Sequence, residues 1–166
     1  MTAIRVLVAT AADLPDAQAL VFEYMASTQH EAGRHVPASI DRLPGVLRAE
    51  CTDLAAAYRS PGGLLVAYQH RIPIGCVGLK PVPPAGTAEV KRLYIRPTHR
   101  RGGAARLLMH HAHRFAARRD LARLVLDVMP TRTHVVDFYR QLGYVDAEPS
   151  GPMVHLQRPV GDPVEG

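Results

Sequence analysis

The feature that most constrains the fold is a change of hydrophobic period between residues 87 and 115. Residues 87–95 alternate in the manner of a strand, and Arg96-Pro97 ends that pattern. After Gly102-Gly103, apolar residues recur at positions i, i+3, i+4, i+8 and i+11, the spacing of one helix face; they are Ala104, Leu107, Leu108, Ala112 and Phe115. The segment therefore predicts a strand, a short loop and a helix in direct succession.

The same segment carries the positive charge of the chain. The 166 residues have a formal net charge of +5, yet no acidic residue lies between Glu89 and Asp120. That window holds nine basic residues, so the remainder sums to −4; the nine are Lys91, Arg92, Arg96, Arg100, Arg101, Arg106, Arg114, Arg118 and Arg119. Clustered arginines suit fork-shaped contacts to phosphate, which favours an anionic ligand for this one segment.

Other periodic segments predict a single α/β domain over residues 1–158 and a loose tail at 159–166. The predicted element order is β-α-α-β-β-β-α-β-α-β-β, an α/β sandwich with a mixed sheet. Strands are predicted at 4–9, 64–68, 74–82, 87–95, 124–128, 144–145 and 153–157, and helices at about 13–28, 46–59, 104–115 and 135–142. Residues 29–45 are predicted to be largely loop, and 69–72 a turn.

Composition excludes several classes of protein. No run of 18 apolar residues exists, so a membrane span is not expected, and the N-terminus lacks the apolar stretch of a secretion signal. Cys51 and Cys76 are too few for a disulfide framework or a four-ligand zinc site. A reduced, cytoplasmic protein is therefore expected. Three histidines on one helix, His110, His111 and His113, lack a metal-binding pattern and are interpreted as part of a solvated basic face, so no metal is expected.

The loop at 100–103 has the properties of an anion cradle. The first turn of a helix offers unpaired N–H groups and the positive end of the helix dipole. Glycine lets a phosphate approach the backbone, and small Ala104 and Ala105 keep the helix start open. Neither the P-loop pattern nor the dinucleotide fingerprint is present; the pattern that is present is Arg100-x-x-Gly103-x-Ala105, and a solvated basic loop is the alternative interpretation.

This pattern, in its context, resembles the GNAT superfamily of acetyl-CoA-dependent N-acetyltransferases, whose pyrophosphate loop reads [QR]-x-x-G-x-[GA]. The preceding residues 91–97, KRLYIRP, are similar to the approach strand of many bacterial members. Downstream, Asp127-Val-Met-Pro and Phe138-Tyr-Arg-Gln-Leu-Gly-Tyr144 are similar to a second family signature. The resemblance covers about residues 3–158 and implies a mixed, mostly antiparallel sheet flanked by helices.

The resemblance also implies how acetyl-CoA would be bound, with no metal ion. Backbone groups of Leu93, Tyr94 and Ile95 would pair with the pantetheine arm. The Arg100 side chain and the loop backbone would hold the pyrophosphate, the loop residues being Arg101, Gly102, Gly103, Ala104, Ala105 and Arg106. The chain departs from the family at Arg101, where many members have glycine, and at Arg132, where an asparagine or methionine is common.

Two catalytic roles follow from the resemblance and from the chemistry of acyl transfer to an amine. The amine needs a base or a water relay, and the departing thiolate needs an acid. Glu89 lies eleven residues before Arg100, the offset of the catalytic glutamate in histone-acetylating relatives, and is the expected base. Tyr139 matches the family tyrosine that points at the sulfur and is the expected acid. A salt bridge for Glu89 and core packing for Tyr139 are the alternative interpretations.

The acceptor is expected to be a small or amino-acid-like amine, and the protein a monomer or homodimer with no nucleic-acid or membrane partner. The acceptor would enter over the first helix, residues 29–45 and 146–153, a region that includes the acids Glu23, Glu31, Asp41, Asp146 and Glu148. Two other functions stay open. The chain could be a catalytically degenerate acyl-CoA sensor or scaffold, or a basic nucleic-acid-binding module.

Overall fold

The strand at residues 87–95, where the change of hydrophobic period begins, lies at the centre of a seven-stranded sheet. The computed structural model describes residues 2–149 and 151–161. Its strands are β1 (Arg5–Val8), β2 (Gly63–Gln69), β3 (Ile72–Val82), β4 (Thr87–Ile95), β5 (Arg123–Val128), β6 (Val145–Asp146) and β7 (Val154–Pro159). Its α-helices are α1 (Leu14–Glu31), α2 (Gly45–Thr52), α3 (Leu54–Ala57), α4 (Ala104–Arg118) and α5 (Thr133–Gln141).

The sheet order is β1-β2-β3-β4-β5-β7-β6. Only the β4–β5 pair is parallel among the described strands, and the other pairs are antiparallel. A parallel neighbour requires a crossover connection, and α4 supplies it between β4 and β5. The predicted α/β class with a mixed, mostly antiparallel sheet is confirmed.

The two faces of the sheet bury separate cores. In one core, α4 and α5 pack on the central strands, and its fully buried residues include Leu108, Met109, Leu124 and Leu156. In the other core, α1, α2 and α3 pack on the first half of the sheet around Leu20, Met25 and Val66. Helix α1 packs on β3 and β4, and this second core includes no described residue of β5 or β7.

The predicted helix over 46–59 is wrong in one respect, since the structure divides it into α2 and α3. Asp53 separates them with an extended backbone (φ −134°), and its carboxylate accepts a hydrogen bond from the Ala56 N–H at 3.1 Å. A side chain that caps a new helix competes with continuation of the previous one. The first helix is also longer than predicted and ends at Glu31.

The end of the chain is packed further than the predicted tail suggests. Strand β7 includes Pro159, and Val160 is buried and donates its N–H to the Ala122 carbonyl at 3.0 Å. Residues 162–166 lie outside the described residues, so the domain boundary remains a prediction. Within the described part of the chain, no helix is both long and apolar enough to cross a membrane.

Candidate active site

The central opening of the sheet is a splay between β4 and β5. The two strands pair over only three residues, ending at Glu89 opposite Val125. Beyond that point β4 continues to Ile95 and β5 continues to Val128, and β5 stays paired to β7 on its other edge. The edges of the two strands that face each other therefore carry backbone N–H and C=O groups with no ladder partner.

A bulge in β4 lies inside the splay. Cys76 of β3 pairs with Tyr94 and Gly78 pairs with Lys91, so one β3 residue faces two on β4, Arg92 and Leu93. Arg92 takes a left-handed φ of 59°. An extra residue shifts the alternation of side chains and re-aims the backbone of the strand. Leu93 consequently packs on the α4 core and Tyr94 on the α1 core.

The bulge is held by an ion pair that joins β4 to α2. Arg92 donates from Nε to Glu50 Oε2 at 2.8 Å and from Nη2 to Oε1 at 3.0 Å. Tyr58 donates its hydroxyl to the same Oε2 at 2.9 Å. Burial opposes ionisation of Glu50, but the hydrogen bond and charge of Arg92 outweigh it, so the pKa of Glu50 is lowered. The pair is charged and fixed at neutral pH.

Two further contacts fix Arg92. The Cys76 thiol donates to the Arg92 carbonyl at 3.4 Å, and the Arg92 guanidinium lies 5.5 Å from the ring centroid of Tyr24 on α1. Tyr24 in turn meets Tyr94 edge-on, with ring centroids 6.2 Å apart. The bulge, α1 and α2 thus form one connected unit. No local sequence pattern indicates this unit, because the bulge contains no glycine and Glu50 is 42 residues away.

Glu89, the predicted base, occupies the last β4 residue that is paired to β5. It is half-buried and stands opposite Lys80 of β3 in the ladder. No hydrogen bond or ion pair of its carboxylate is recorded with any residue that the structure describes. The carboxylate lies at the closed end of the splay.

Tyr139, the predicted acid, is a buried residue of α5. Its ring meets Phe138 and Tyr144 edge-on, with centroids 5.3 Å and 5.4 Å away. Burial raises its pKa, and the neighbouring Tyr24 raises it further, while Arg132 opposes them. A raised pKa keeps the phenol protonated at neutral pH, as an acid requires.

The loop before α4 has the geometry of an anion cradle. Arg101 has φ 65° and Gly103, the N-cap of α4, has φ 83°. Within residues 2–149 and 151–161, no backbone acceptor is recorded for the N–H groups of residues 101–106; the first helical bond runs from Leu107 to the Gly103 carbonyl at 3.0 Å. A Cβ on Gly103 would meet no atom within 4 Å, so the loop is open beside this residue.

Arg100 connects this loop to the end of β4. Its Nε donates to the Ile95 carbonyl at 2.9 Å, and its guanidinium lies 5.8 Å from the ring centroid of Tyr94. The predicted binding residues Leu93, Tyr94, Ile95 and Arg100 thus adjoin one another at the open end of the splay. The loop and the splay form one continuous surface.

The acidic residues expected to attract an amine are largely paired with arginines. Glu23 meets Arg96 at 2.8 Å, Glu31 meets Arg132 at 3.3 Å, and Asp146 meets Arg140 at 3.0 Å. Arg132 thereby ties the loop before α5 to the end of α1. The net charge of this region is therefore less negative than the acids alone predict.

The interpretation of His113 as part of a solvated helix face is wrong. His113 is not on a solvated face; it is 4% exposed, and its Nε2 lies 2.8 Å from the Tyr144 hydroxyl. Burial lowers its pKa to about 4, with a smaller contribution from Arg158. No group of three or more metal-ligating side chains is found among the residues that the structure describes.

Comparison with known proteins agrees with this geometry. The model of the Acetyltransferase (GNAT) family matches residues 27–144, which include the bulge, the loop before α4 and Tyr139. The chain belongs to the GNAT family. It is 30% identical over 94 residues to an uncharacterized N-acetyltransferase of Schizosaccharomyces pombe and 31% identical over 88 residues to an IAA acetyltransferase of Azospirillum brasilense. These alignments cover 55% and 53% of this chain and 58% of each relative.

Solved structures share the fold of this GNAT chain. The PaiA N-acetyltransferase of Thermoplasma acidophilum, solved in complex with coenzyme A, has a TM-score of 0.72 and 18% identity, covering 95% of this chain and 99% of that one. An acetyltransferase of Thermus thermophilus has a TM-score of 0.71 and 22% identity, with coverages of 96% and 99%.

Proposed function

We propose that this chain transfers an acetyl group, or a related acyl group, from acetyl-CoA to a primary amine by direct attack in a ternary complex. The observation that carries the proposal is the row of unpaired N–H groups from residue 101 to 106, which directly adjoins the splay. A phosphate site next to an unpaired strand edge suits a ligand with a pyrophosphate and an amide-containing arm.

The binding roles follow from this arrangement. The backbone of residues 101–106 and the Arg100 side chain hold the pyrophosphate. The backbone groups of Leu93, Tyr94 and Ile95 pair with the pantetheine arm. An N–H of Leu93 or Tyr94 polarises the thioester carbonyl, since charge builds on its oxygen during attack. The Glu50–Arg92 pair supports this last role because it fixes the backbone at the bulge.

The proton transfers use Glu89, at the closed end of the splay, and Tyr139 of α5. Glu89, directly or through water, takes a proton from the amine. Tyr139 gives a proton to the thiolate that departs. Tyr139 is a protonated phenol at neutral pH, and the partly exposed carboxylate of Glu89, which has no recorded partner among the described residues, supports its availability as a base.

The acceptor is a small or amino-acid-like amine that enters on the α1 side. Arginine pairing of Glu23, Glu31 and Asp146 makes a strongly polycationic acceptor less suited to this surface. We place the protein in the cytoplasm, which suits two buried, unpaired thiols.

The test combines binding with turnover. Calorimetry measures coenzyme A affinity, and a thiol-release assay screens acetyl-CoA against a panel of amines. Glu89→Gln and Tyr139→Phe are each expected to lower kcat by at least about tenfold with coenzyme A affinity retained. Asp137→Asn, an exposed carboxylate on α5, and Tyr68→Phe on β2 serve as controls and should keep full activity. Unchanged rates in both site variants would refute the assigned roles.

Other outcomes separate the remaining functions. Tight coenzyme A binding with no thiol release for any amine would indicate a sensor or scaffold. Absence of coenzyme A binding, together with nucleic-acid affinity that falls steeply with salt, would indicate a nucleic-acid-binding module. Burial of Tyr94 and Phe115 disfavours this module because stacking on bases needs exposed rings.

A further inference from the structure

A histidine–aspartate pair lies beside the splay on β5 and β7. Asp127 and His155 are direct partners in the antiparallel β5–β7 ladder, and His155 Nδ1 contacts Asp127 Oδ1. Their side chains are 40% and 18% exposed, so the pair is reachable from solvent. The proposed mechanism uses neither residue.

The ladder places this pair on the same face of the sheet as Glu89. Glu89 stands opposite Val125, Asp127 is two residues further along β5, and His155 stands opposite Asp127. Because direct partners and residues two apart share a face, the three polar side chains lie on one side of the sheet. The buried residues Leu124 and Leu126 lie on the other side, in the core beneath α4.

That side of the sheet is the one on which an acceptor can arrive. Helix α1 packs on β3 and β4, and the hydrophobic core on that face contains no described residue of β5 or β7. Asp127 also lies on the part of β5 that has lost its β4 partner, beyond Val125. An amine that reaches the splay from the α1 side therefore meets Glu89 on one strand and the Asp127–His155 pair on the other.

The pair has the chemistry of a base. An imidazole nitrogen that faces a carboxylate carries its proton there, which leaves the lone pair of the neutral ring on Nε2. A primary amine at neutral pH arrives as an ammonium ion and must lose two protons before it becomes an amide. Glu89 accounts for one of them, so a second acceptor is needed.

We propose that His155, oriented by Asp127, is this second proton acceptor; the inference rests on the proposed acetyl transfer. His155 Nε2 takes a proton from the ammonium ion. The amine lone pair then forms the C–N bond, the C–S bond breaks, and its electron pair goes to sulfur. Glu89 takes the second N–H proton, and Tyr139 protonates the thiolate and regains the equivalent proton from Glu89. His155 releases its proton to solvent.

The experiment uses the full chain with acetyl-CoA and the best amine found by the thiol-release screen. His155→Gln and Asp127→Asn are expected to lower kcat/KM by at least about tenfold, with coenzyme A affinity within twofold of wild type. Added imidazole should restore at least about fivefold activity to His155→Ala, because a structural defect does not respond to a soluble base. His110→Gln, on α4, is the matched control and should be unaffected.

Nuclear magnetic resonance of the imidazole nitrogens gives a readout that does not depend on turnover. The neutral ring of His155 should carry its proton on Nδ1 in the wild type and lose that preference in Asp127→Asn. Full activity of His155→Gln, or a ring protonated on Nε2 in the wild type, would overturn this inference and leave the proposed acetyl transfer intact. A wild type that acetylates no amine would overturn both.

Discussion

At the scale of single residues, the bulge at Arg92 shows how a strained backbone is kept in place. A left-handed φ is unfavourable for arginine, since its Cβ approaches the following carbonyl. Its bidentate bond to Glu50 and the thiol of Cys76 hold the side chain and the carbonyl of the same residue. The contacts that fix this residue come from α2, β3 and α1, so its conformation depends on the assembled fold.

Removal of Glu50 tests this dependence. Glu50→Ala leaves the Arg92 guanidinium buried without its counter-charge, and the free energy of unfolding should fall by about 3 kcal/mol. Urea denaturation measures the loss. Glu31→Ala, which removes the half-exposed partner of Arg132, should cost much less because water screens that pair. Equal losses in the two variants would contradict the role of the buried pair.

The residue scale is also where sequence reasoning reaches its limit. Local pattern, together with the family resemblance, predicts Glu89, Tyr139 and the loop at 100–106 as site residues, because each belongs to a short run of neighbouring residues. It cannot locate the contact of Asp127 with His155 or that of Glu50 with Arg92, because these depend on strand register and helix placement. The burial of His113 is beyond its reach for the same reason, since its partner Tyr144 is 31 residues away.

At the scale of elements, the loop at the start of α4 carries a conformational cost. Gly103 adopts its left-handed φ without penalty, whereas Arg101 adopts φ 65° at a cost. Both residues are left-handed in this loop, so its conformation carries a cost only at the residue that has a side chain. The period change in the sequence predicts where this helix begins but not the backbone conformation of Arg101.

Glycine at position 101 should therefore affect the free energy of unfolding differently from glycine within the helix. Arg101→Gly should raise the free energy of unfolding, or leave it unchanged, and Arg101→Val should lower it by about 1–2 kcal/mol. Arg114→Gly, in the middle of α4, should lower it by about 1 kcal/mol because glycine disfavours a helix interior. Thermal melting distinguishes these outcomes, and a destabilised Arg101→Gly would contradict the strain at this position.

At the scale of the whole molecule, the sheet consists of two antiparallel parts that meet in a three-residue parallel ladder. The element order, the α/β class and the mixed sheet are all predictable, since hydrophobic period reports on strands and helices directly. The splay is implied only by the family resemblance, because period does not reveal where two strands stop pairing. Helix α4 bridges the two parts, and the His113–Tyr144 contact links it to the residue before β6.

The burial of His113, whose ring contacts the Tyr144 hydroxyl, makes the free energy of unfolding depend on pH. The pKa of His113 is about 4 in the folded chain and near 6.5 when unfolded, so between these values the unfolded chain binds the extra proton. The free energy of unfolding should therefore fall by about 3 kcal/mol from this residue as pH drops from 6.5 to 4. Urea denaturation across this range should show a weaker pH dependence for His113→Gln and an unchanged one for His30→Gln. An equal pH dependence in all three proteins would contradict the assignment.

The loss of pairing between β4 and β5 beyond Glu89 has a consequence for aggregation. An unpaired strand edge on the outside of a sheet invites other strands and leads to aggregation. Here both bare edges face inward, with α1 packed over one side of β4 and α4 over the other. The two edges face each other across the gap, whereas the outer edges of the sheet are β1 and β6. The position of the gap inside the sheet therefore protects its unpaired N–H and C=O groups from the strand pairing that an outer edge invites.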